Sequence, residues 1–344
     1  MKGTTMDAYQ AREANTLDRL QLGGDDALRA EYALYSQVAD LYYNRGLKIS
    51  EIAAKLSFSS AKVSRLLAAA REKGVVEIRV HRIFSRLYEI EKRLTEVFSL
   101  TEAIVISSFE GEGNEEELET VTDFASVYVS DLLKGQKTLG ISNGNAVNKI
   151  TGKLHRIHPC ELDTVQIIGS GSNTYQDVES RELVTRISGI FPGGRSYFLN
   201  TPIFMEDRYA KERLLREPSV SAVFDRMRAC DILLTGIGGF QQIPKVARRG
   251  AFREYLTDAM LAELAEKGAV GSVCAQYYDI RGNYLSCEWN EKCIGMPFED
   301  IRENNMTIGV ACGAYKQASV LGALRAGLIN VLITDEALAS GLLA

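Results

Sequence analysis

LYSQVADLYYNRGLKISEIAAKLSFSSAKVSRLLAAAREKGVVEIRV, residues 34 to 80, decides how the rest of the chain is read. Leu34, Val38 and Leu41/Tyr42 recur at helical spacing, and Gly46 supplies a stop. Ser50 is placed to cap a second short helix, with Ile52, Ala53 and Leu56 on one side. After a tight Ser57-Phe58 connection, Ser59 or Ser60 caps a third helix. Its inner face is Val63, Leu66, Leu67 and Ala70, while Ser60, Ala61, Lys62, Ser64 and Arg65 point outward. Gly74 ends that helix, and Val75 to Val80 alternates as a half-buried strand does.

Two short helices joined by a brief turn, the second offering small polar and basic side chains, meet the needs of a helix-turn-helix. The small Ala53 lets the helices approach closely, and short side chains at the start of the third helix fit a major groove. The strand after it would be a wing. From Lys62 to Arg82 six basic residues stand against Glu72 and Glu77. That local surplus suits phosphate positioning. Ser59, Ser60, Lys62, Ser64, Arg65 and Arg71 are the candidate DNA contacts. The plain alternative is a small helical bundle packed on something else.

The remainder is too long to belong to that module. The chain has 344 residues, 46% of them hydrophobic and 25% charged, with a net charge of -5. DNA binding must therefore come from a local patch. No apolar run is long enough to cross a bilayer, and MKGTTMDAYQ has no signal-peptide core, so a cytoplasmic protein is expected. Six cysteines are scattered without CxxC pairing, and the three histidines are not spaced as ligands. Buried free thiols, no metal and no cofactor are expected.

Residues 1–28 read as a flexible tail, and 29–82 as the winged module. Residues 83–98 follow as a linker or oligomerisation helix, and 99–344 as a ligand-binding domain. In the helix, Ile83, Leu87, Ile90, Leu94 and Val97 form a seam over about two heptads. It either pairs two subunits or packs on its own domain. Beyond it, strands and helices alternate. Strands are expected at Ala103–Ser107, Thr138–Ser142, Thr164–Ile168, Arg195–Leu199, Asp231–Thr235, Thr307–Ala311 and Asn330–Thr334. Helices are expected at about 115–134, 145–153, 178–190, 208–228, 251–267, 315–326 and 335–343. Tyr277 to Leu285 looks like an inserted hairpin turning at Arg281-Gly282-Asn283. The pattern is α/β, with a mostly parallel, Rossmann-like sheet covered on both faces.

In such sheets ligands collect beyond the carboxyl ends of the strands. Small polar and glycine residues stand at four expected ends. They are Ser142-Asn143-Gly144-Asn145, Gly169-Ser170-Gly171-Ser172-Asn173, the Gly236 to Gly239 turn with Gly238, and Cys312-Gly313-Ala314 leading to Lys316. Any one of these is only what a tight strand-to-helix turn needs; together they outline an anion site. Lys316 is disfavoured at a helix N-terminus unless an anion binds there, which makes it the best phosphate contact. Asp279 could accept a sugar hydroxyl or merely form a turn, and Arg248-Arg249 could add a second anion contact.

These residues resemble the SorC family of sugar-responsive transcription regulators. The head from Val38 to Val80, TVQIIGSGSN, DILLTGIGGF, GAVGSVCAQYYDIRGNYL and IGVACGAYKQASVLGALRAGLINVLITDEALASGLL carry the resemblance, in family order, over about 30 to 344. It implies a winged helix-turn-helix joined to an effector domain related to sugar-phosphate isomerases and deaminases. It also implies a homo-tetramer, a dimer of dimers, bound to double-stranded operator DNA. The effector would be a small sugar, polyol or sugar phosphate, and the target a carbohydrate or polyol operon. The family's phosphate-contacting lysine falls on Lys316 and its acidic sugar contact on Asp279. Many members carry a bulky aromatic where Asn143 stands, so the subsite beside Gly144 should be more open or more polar here.

The rival is an isomerase- or deaminase-like enzyme carrying a DNA-binding head. Those reactions need a placed acid and base. No histidine follows Pro159, and Asp279 stands alone, so regulation without catalysis is the simpler expectation.

Overall fold

The computed structural model describes residues 26–76, 85–107, 114–171, 180–240, 252 and 255–344. The chain divides into two compact units, Met1–Arg82 and Ile83–Ala344.

Among its described residues the first unit has three α-helices, α1 (Asp26–Ala39), α2 (Ile49–Leu56) and α3 (Ser60–Glu72), with one wide helical turn at Asp40–Asn44. Val38, Leu41, Ile52, Ala53, Val63 and Leu67 form its centre. Gly46 and Gly74 take the left-handed conformation at the two expected stops. One cap differs from expectation. The Glu51 carboxylate accepts the Lys48 backbone N–H at 2.7 Å, so α2 starts at Ile49 and Ser50 lies exposed within it. Ser59, not Ser60, caps α3 by accepting the Lys62 N–H at 3.2 Å. Part of the wing expected over Val75–Val80 lies outside the described residues; Val75 and Val76 pack beside Ala70 and Tyr35.

In the second unit, α4 (Tyr88–Phe98), β1 (Glu102–Ile106), α5 (Asn114–Leu132), β2 (Gly135–Ile141), α6 (Asn145–Thr151) and β3 (Cys160–Gln166) come first. They are followed by α7 (Ser180–Ile190), β4 (Ser196–Tyr197), α8 (Arg208–Leu215), α9 (Pro218–Arg228), β5 (Ile232–Gly236) and β6 (Gly238–Gly239). Then come α10 (Asp258–Glu266), β7 (Ala269–Val273), β8 (Gln276–Asp279), α11 (Glu288–Lys292) and α12 (Phe298–Arg302). The chain closes with β9 (Thr307–Val310), a tight 3₁₀ turn at Ala314–Lys316, α13 (Gln317–Arg325), β10 (Val331–Asp335) and α14 (Glu336–Leu343).

Seven strands form one sheet in the order β1-β10-β9-β5-β2-β3-β4, all paired parallel. Continuous apolar runs suit a sheet buried on both faces, and β1 shows why: Ala103 and Val105 face one core, Ile104 and Ile106 the other. One face packs α5, α6 and α7 through Val121, Val147 and Leu183. The other packs α4, α9, α13 and α14 through Leu94, Phe224, Val320 and Leu338. From β2 the chain moves outward through β3 and β4, then returns to β5 on the other side of β2. The topological switch point, where such sheets open a crevice, is therefore at β2 and β5.

Several expectations change. The helix expected over 208–228 is two, because Pro218 opens α9 and holds Glu217 extended. The main hairpin is β7–β8, turning at Cys274 and Ala275, both at positive φ (48° and 63°). Two-residue hairpins demand that conformation. Arg281-Gly282-Asn283 makes a second, wider reversal, closed by the Tyr278–Tyr284 bridge and the Asp279 N–H bond to the Asn283 carbonyl. The seam from Leu87 is consumed at home: Leu94 is fully buried, and Leu87 and Ile90 pack on the unit's own core. Tyr88 and Val97 stay exposed. Leu87, Ile90 and Leu94 are thus spent on packing within the unit, and Val97 of the expected seam is left at the surface. Ile83 is outside the described residues. No helix among the described residues is long and apolar enough to cross a membrane.

Candidate functional site

On α3, the faces separate as the spacing predicts. Val63, Leu67 and Ala70 are buried, while Ser59, Ser60, Lys62, Ser64, Arg65 and Arg71 are all exposed. The Ser59 cap leaves the first turn uncluttered. The Lys62 ammonium lies 3.7 Å from the centre of the Phe58 ring, so its stem is held against the helix start. The surface is small, polar and cationic, as contact with a phosphate backbone and base edges requires.

In the second unit, the parallel pairing of β9, β5, β2 and β3 as successive neighbours brings four expected loops to one edge. Asn143 is half-exposed, and Gly144 and Asn145 are exposed at the start of α6. Ser142, expected as a contact, is instead buried. Its hydroxyl lies 3.1 Å from that of Thr235 and 3.2 Å from the Asn143 carbonyl, bridging β2 to β5. Gly169 is buried too: a Cβ there would sit 2.5 Å from the Pro202 carbonyl oxygen, so packing demands glycine. Ser170 and Gly171 are half-exposed, and the Ser170 hydroxyl accepts from the Gln166 amide at 3.2 Å. Gly238 is exposed. Ser172, Asn173 and Arg248-Arg249 lie outside the described residues.

Lys316 does not begin the long helix but ends the 3₁₀ turn before α13. Gly313 makes that turn possible: its φ is +95°, and the Tyr315 ring lies where a Cβ would stand. The Asp335 carboxylate accepts the Gly313 N–H at 2.5 Å and the Leu338 N–H at 2.9 Å, so β10 anchors the turn. The half-buried Lys316 donates to the Ile237 carbonyl at 3.0 Å, and among the described residues it forms no ion pair. Burial lowers its pKa, against a weaker upward pull from Cys312 and Asp335. A cation held by a neutral carbonyl, and destabilised by its surroundings, gains from an incoming anion.

The Asp279 side chain is engaged in its own turn. Its carboxylate accepts the N–H groups of Arg281 and Asn283 at 2.9 and 2.8 Å and the Asn283 amide at 2.9 Å. Both oxygens thus serve the turn; burial pulls its pKa up, but the bonds from Asn283 and Arg281 together outweigh it and hold the carboxyl below its ordinary value. The Asp279 backbone carbonyl oxygen lies against Gly322 of α13. The turn-forming alternative is the one the structure takes. Thr235 and Asp335 escaped the sequence reading. The Asp335-Glu336 start of α14 carried a capping signal for one, but nothing local marked the other.

All six cysteines are free and buried, and no cluster of described residues could hold a metal ion.

Residues 82–344 match the family described as "Putative sugar-binding domain". Over 311 residues the chain is 26% identical to the sorbitol operon regulator of Klebsiella pneumoniae, spanning 90% of this chain and 97% of that one. Over 312 residues it is 28% identical to the deoxyribonucleoside regulator of Bacillus subtilis (strain 168), spanning 90% and 96%. The crystal structure of the full-length sorbitol operon regulator SorC from Klebsiella pneumoniae resembles it with a TM-score of 0.65 at 25% identity, covering 92% of this chain and all of that one.

Proposed function

The chain belongs to the SorC family of sugar-binding transcription regulators, and from that premise we propose how it works as a sugar-responsive transcriptional regulator. It is a regulator and not an enzyme, as the two relatives spanning 90% of the chain are named. The first unit is a winged helix-turn-helix that reads operator DNA through the exposed side of α3. Ser60, Lys62, Ser64 and Arg65 enter the groove, and Ser59 and Arg71 hold the phosphates. The second unit takes a small sugar, polyol or sugar phosphate at the ends of β9, β5, β2 and β3. Asn143, Gly144, Asn145, Gly171 and Gly238 line the site, and Lys316 takes the anionic group.

The observation that carries this reading is the Lys316 ammonium. It stands at the meeting of neighbouring strand ends, held by one carbonyl and destabilised by burial. Sugar oxygens or a phosphate repay that cost, and water-facing glycine loops leave room for them. A dimer of dimers in the cytoplasm, holding two operator half-sites, fits a head whose basic surplus is too small to bind tightly alone. The effector acts only through its differential affinity for the two arrangements of that assembly. A thermal-shift screen of sugars, polyols and their phosphates tests the reading. A ligand at about a hundred times its dissociation constant should add roughly 2.7 kcal/mol. Turnover of a phosphosugar by protein that leaves no footprint on its own upstream DNA would sink it.

A further inference from the structure

Thr235 is the last residue but one of β5, at the switch point, and is fully buried. Its hydroxyl sits among three partners from three different segments. It donates to the Gly236 carbonyl at 3.0 Å. It accepts from the Cys274 thiol at 3.6 Å, and it faces the Ser142 hydroxyl at 3.1 Å. Burial pushes the Cys274 thiol up to about 12, so this sulfur is a neutral donor at any physiological pH. The Cys274-Ala275 turn is itself tied down, since the Trp289 indole N–H donates to the Ala275 carbonyl at 2.7 Å. One residue beyond Gly236 comes the Ile237 carbonyl, the acceptor of the Lys316 ammonium.

We propose that Thr235 is the positioning residue of the effector site. Its hydroxyl fixes the Gly236–Ile237 turn that holds Lys316, and ties that turn to the Ser142–Asn145 loop across the crevice. This deepens the reading of Lys316 as the anion contact and rests on it. Thr235 touches no ligand; it sets the distance between two loops that do. Ser142 shares the task, because its single proton can go to Thr235 or to Asn143, and only the first choice spans the two strands.

Calorimetric titration with inorganic phosphate, on the full chain at constant ionic strength, tests this. Thr235→Val keeps the volume and removes the hydroxyl; Thr235→Ser restores the hydroxyl and removes only a methyl. The valine variant should bind phosphate about five-fold more weakly than the parent, and the serine variant within about two-fold of it. Adding Ser142→Ala to the valine variant should cost little more, because the bond is already lost. Binding to the protein's own upstream DNA without phosphate should be the same in all of them, which a general loss of fold would not allow. A valine variant that binds phosphate as the parent does overturns the proposal, and so does a serine variant as weak as the valine one. If the parent binds phosphate no better than Lys316→Ala, the anion reading itself fails and Thr235 falls with it.

Discussion

Two lysines in the second unit have amines whose pKa is lowered by burial, and they differ in what compensates them. Lys211, on α8, donates to the Glu291 carbonyl at 2.9 Å and the Asn290 carbonyl at 3.4 Å. Those are unsatisfied carbonyls at the end of α11, where a cation is welcome. Burial lowers the Lys211 pKa, with Cys293 pulling the other way. Lys316 donates to a single loop carbonyl and sits just before α13, where the helix end repels it. The first lysine closes a structure. The second is left for something to complete. A lowered lysine pKa is thus not a functional mark by itself; the kind and number of acceptors decides.

The largest test of that contrast is Lys316→Met. Removing one partner of a buried charged pair costs about 2–5 kcal/mol of binding. Calorimetry with the most stabilising sugar phosphate should show a loss in that range, while urea unfolding without ligand shows little loss, because removing the buried charge offsets the single Ile237 carbonyl left unpaired. Lys211→Met should do the reverse. Orphaned carbonyls cost about 1–3 kcal/mol of stability, visible as a lower urea midpoint, with ligand affinity untouched. If both lysines lower ligand affinity alike, the contrast is void. In the first unit, Arg65→Ala should weaken operator binding by roughly 1–3 kcal/mol if it reads a base, and leave ligand affinity alone.

The smallest effect is in pH. Both lysines have folded-state values below the ordinary 10.5. Their cost to stability is full at low pH, where folded and unfolded chains are both protonated. It is relieved as pH rises from the lowered value towards 10.5, because the unfolded chain then holds the extra protons. Phosphate binding runs the other way through that window, since it needs the Lys316 proton. Titrating Lys316→Met should remove the second trend and part of the first.

The contrast also explains what could be read in the sequence. The surface of α3 was legible because period and capping act within a few residues: Val63 and Leu67 inside, Lys62 and Arg65 outside. The parallel strands were legible from continuous apolar runs, and Lys316 from its conflict with the helix dipole. What failed depended on distant partners. Ser142 reads as a contact in the sequence because the partner it is buried against, Thr235, is 93 residues away. Asp279 reads two ways in the sequence because its own turn and a ligand hydroxyl ask for the same oxygens, and only the fold shows the turn holding them. The α4 seam reads alike whether it faces another copy or its own core. Sheet order, which puts β5 beside β2 and not after β4, leaves no mark on any single stretch.

The central claim is that α3 is the output and Lys316 the input of one switch. Footprinting of the upstream DNA, titrated with the sugar phosphate that stabilises the protein most, tests it in the parent and in Lys316→Ala. Both proteins should protect the same site at the same concentration without ligand. Ligand should shift the parent's protection and leave the variant's unmoved. A variant whose footprint responds like the parent's would contradict the account.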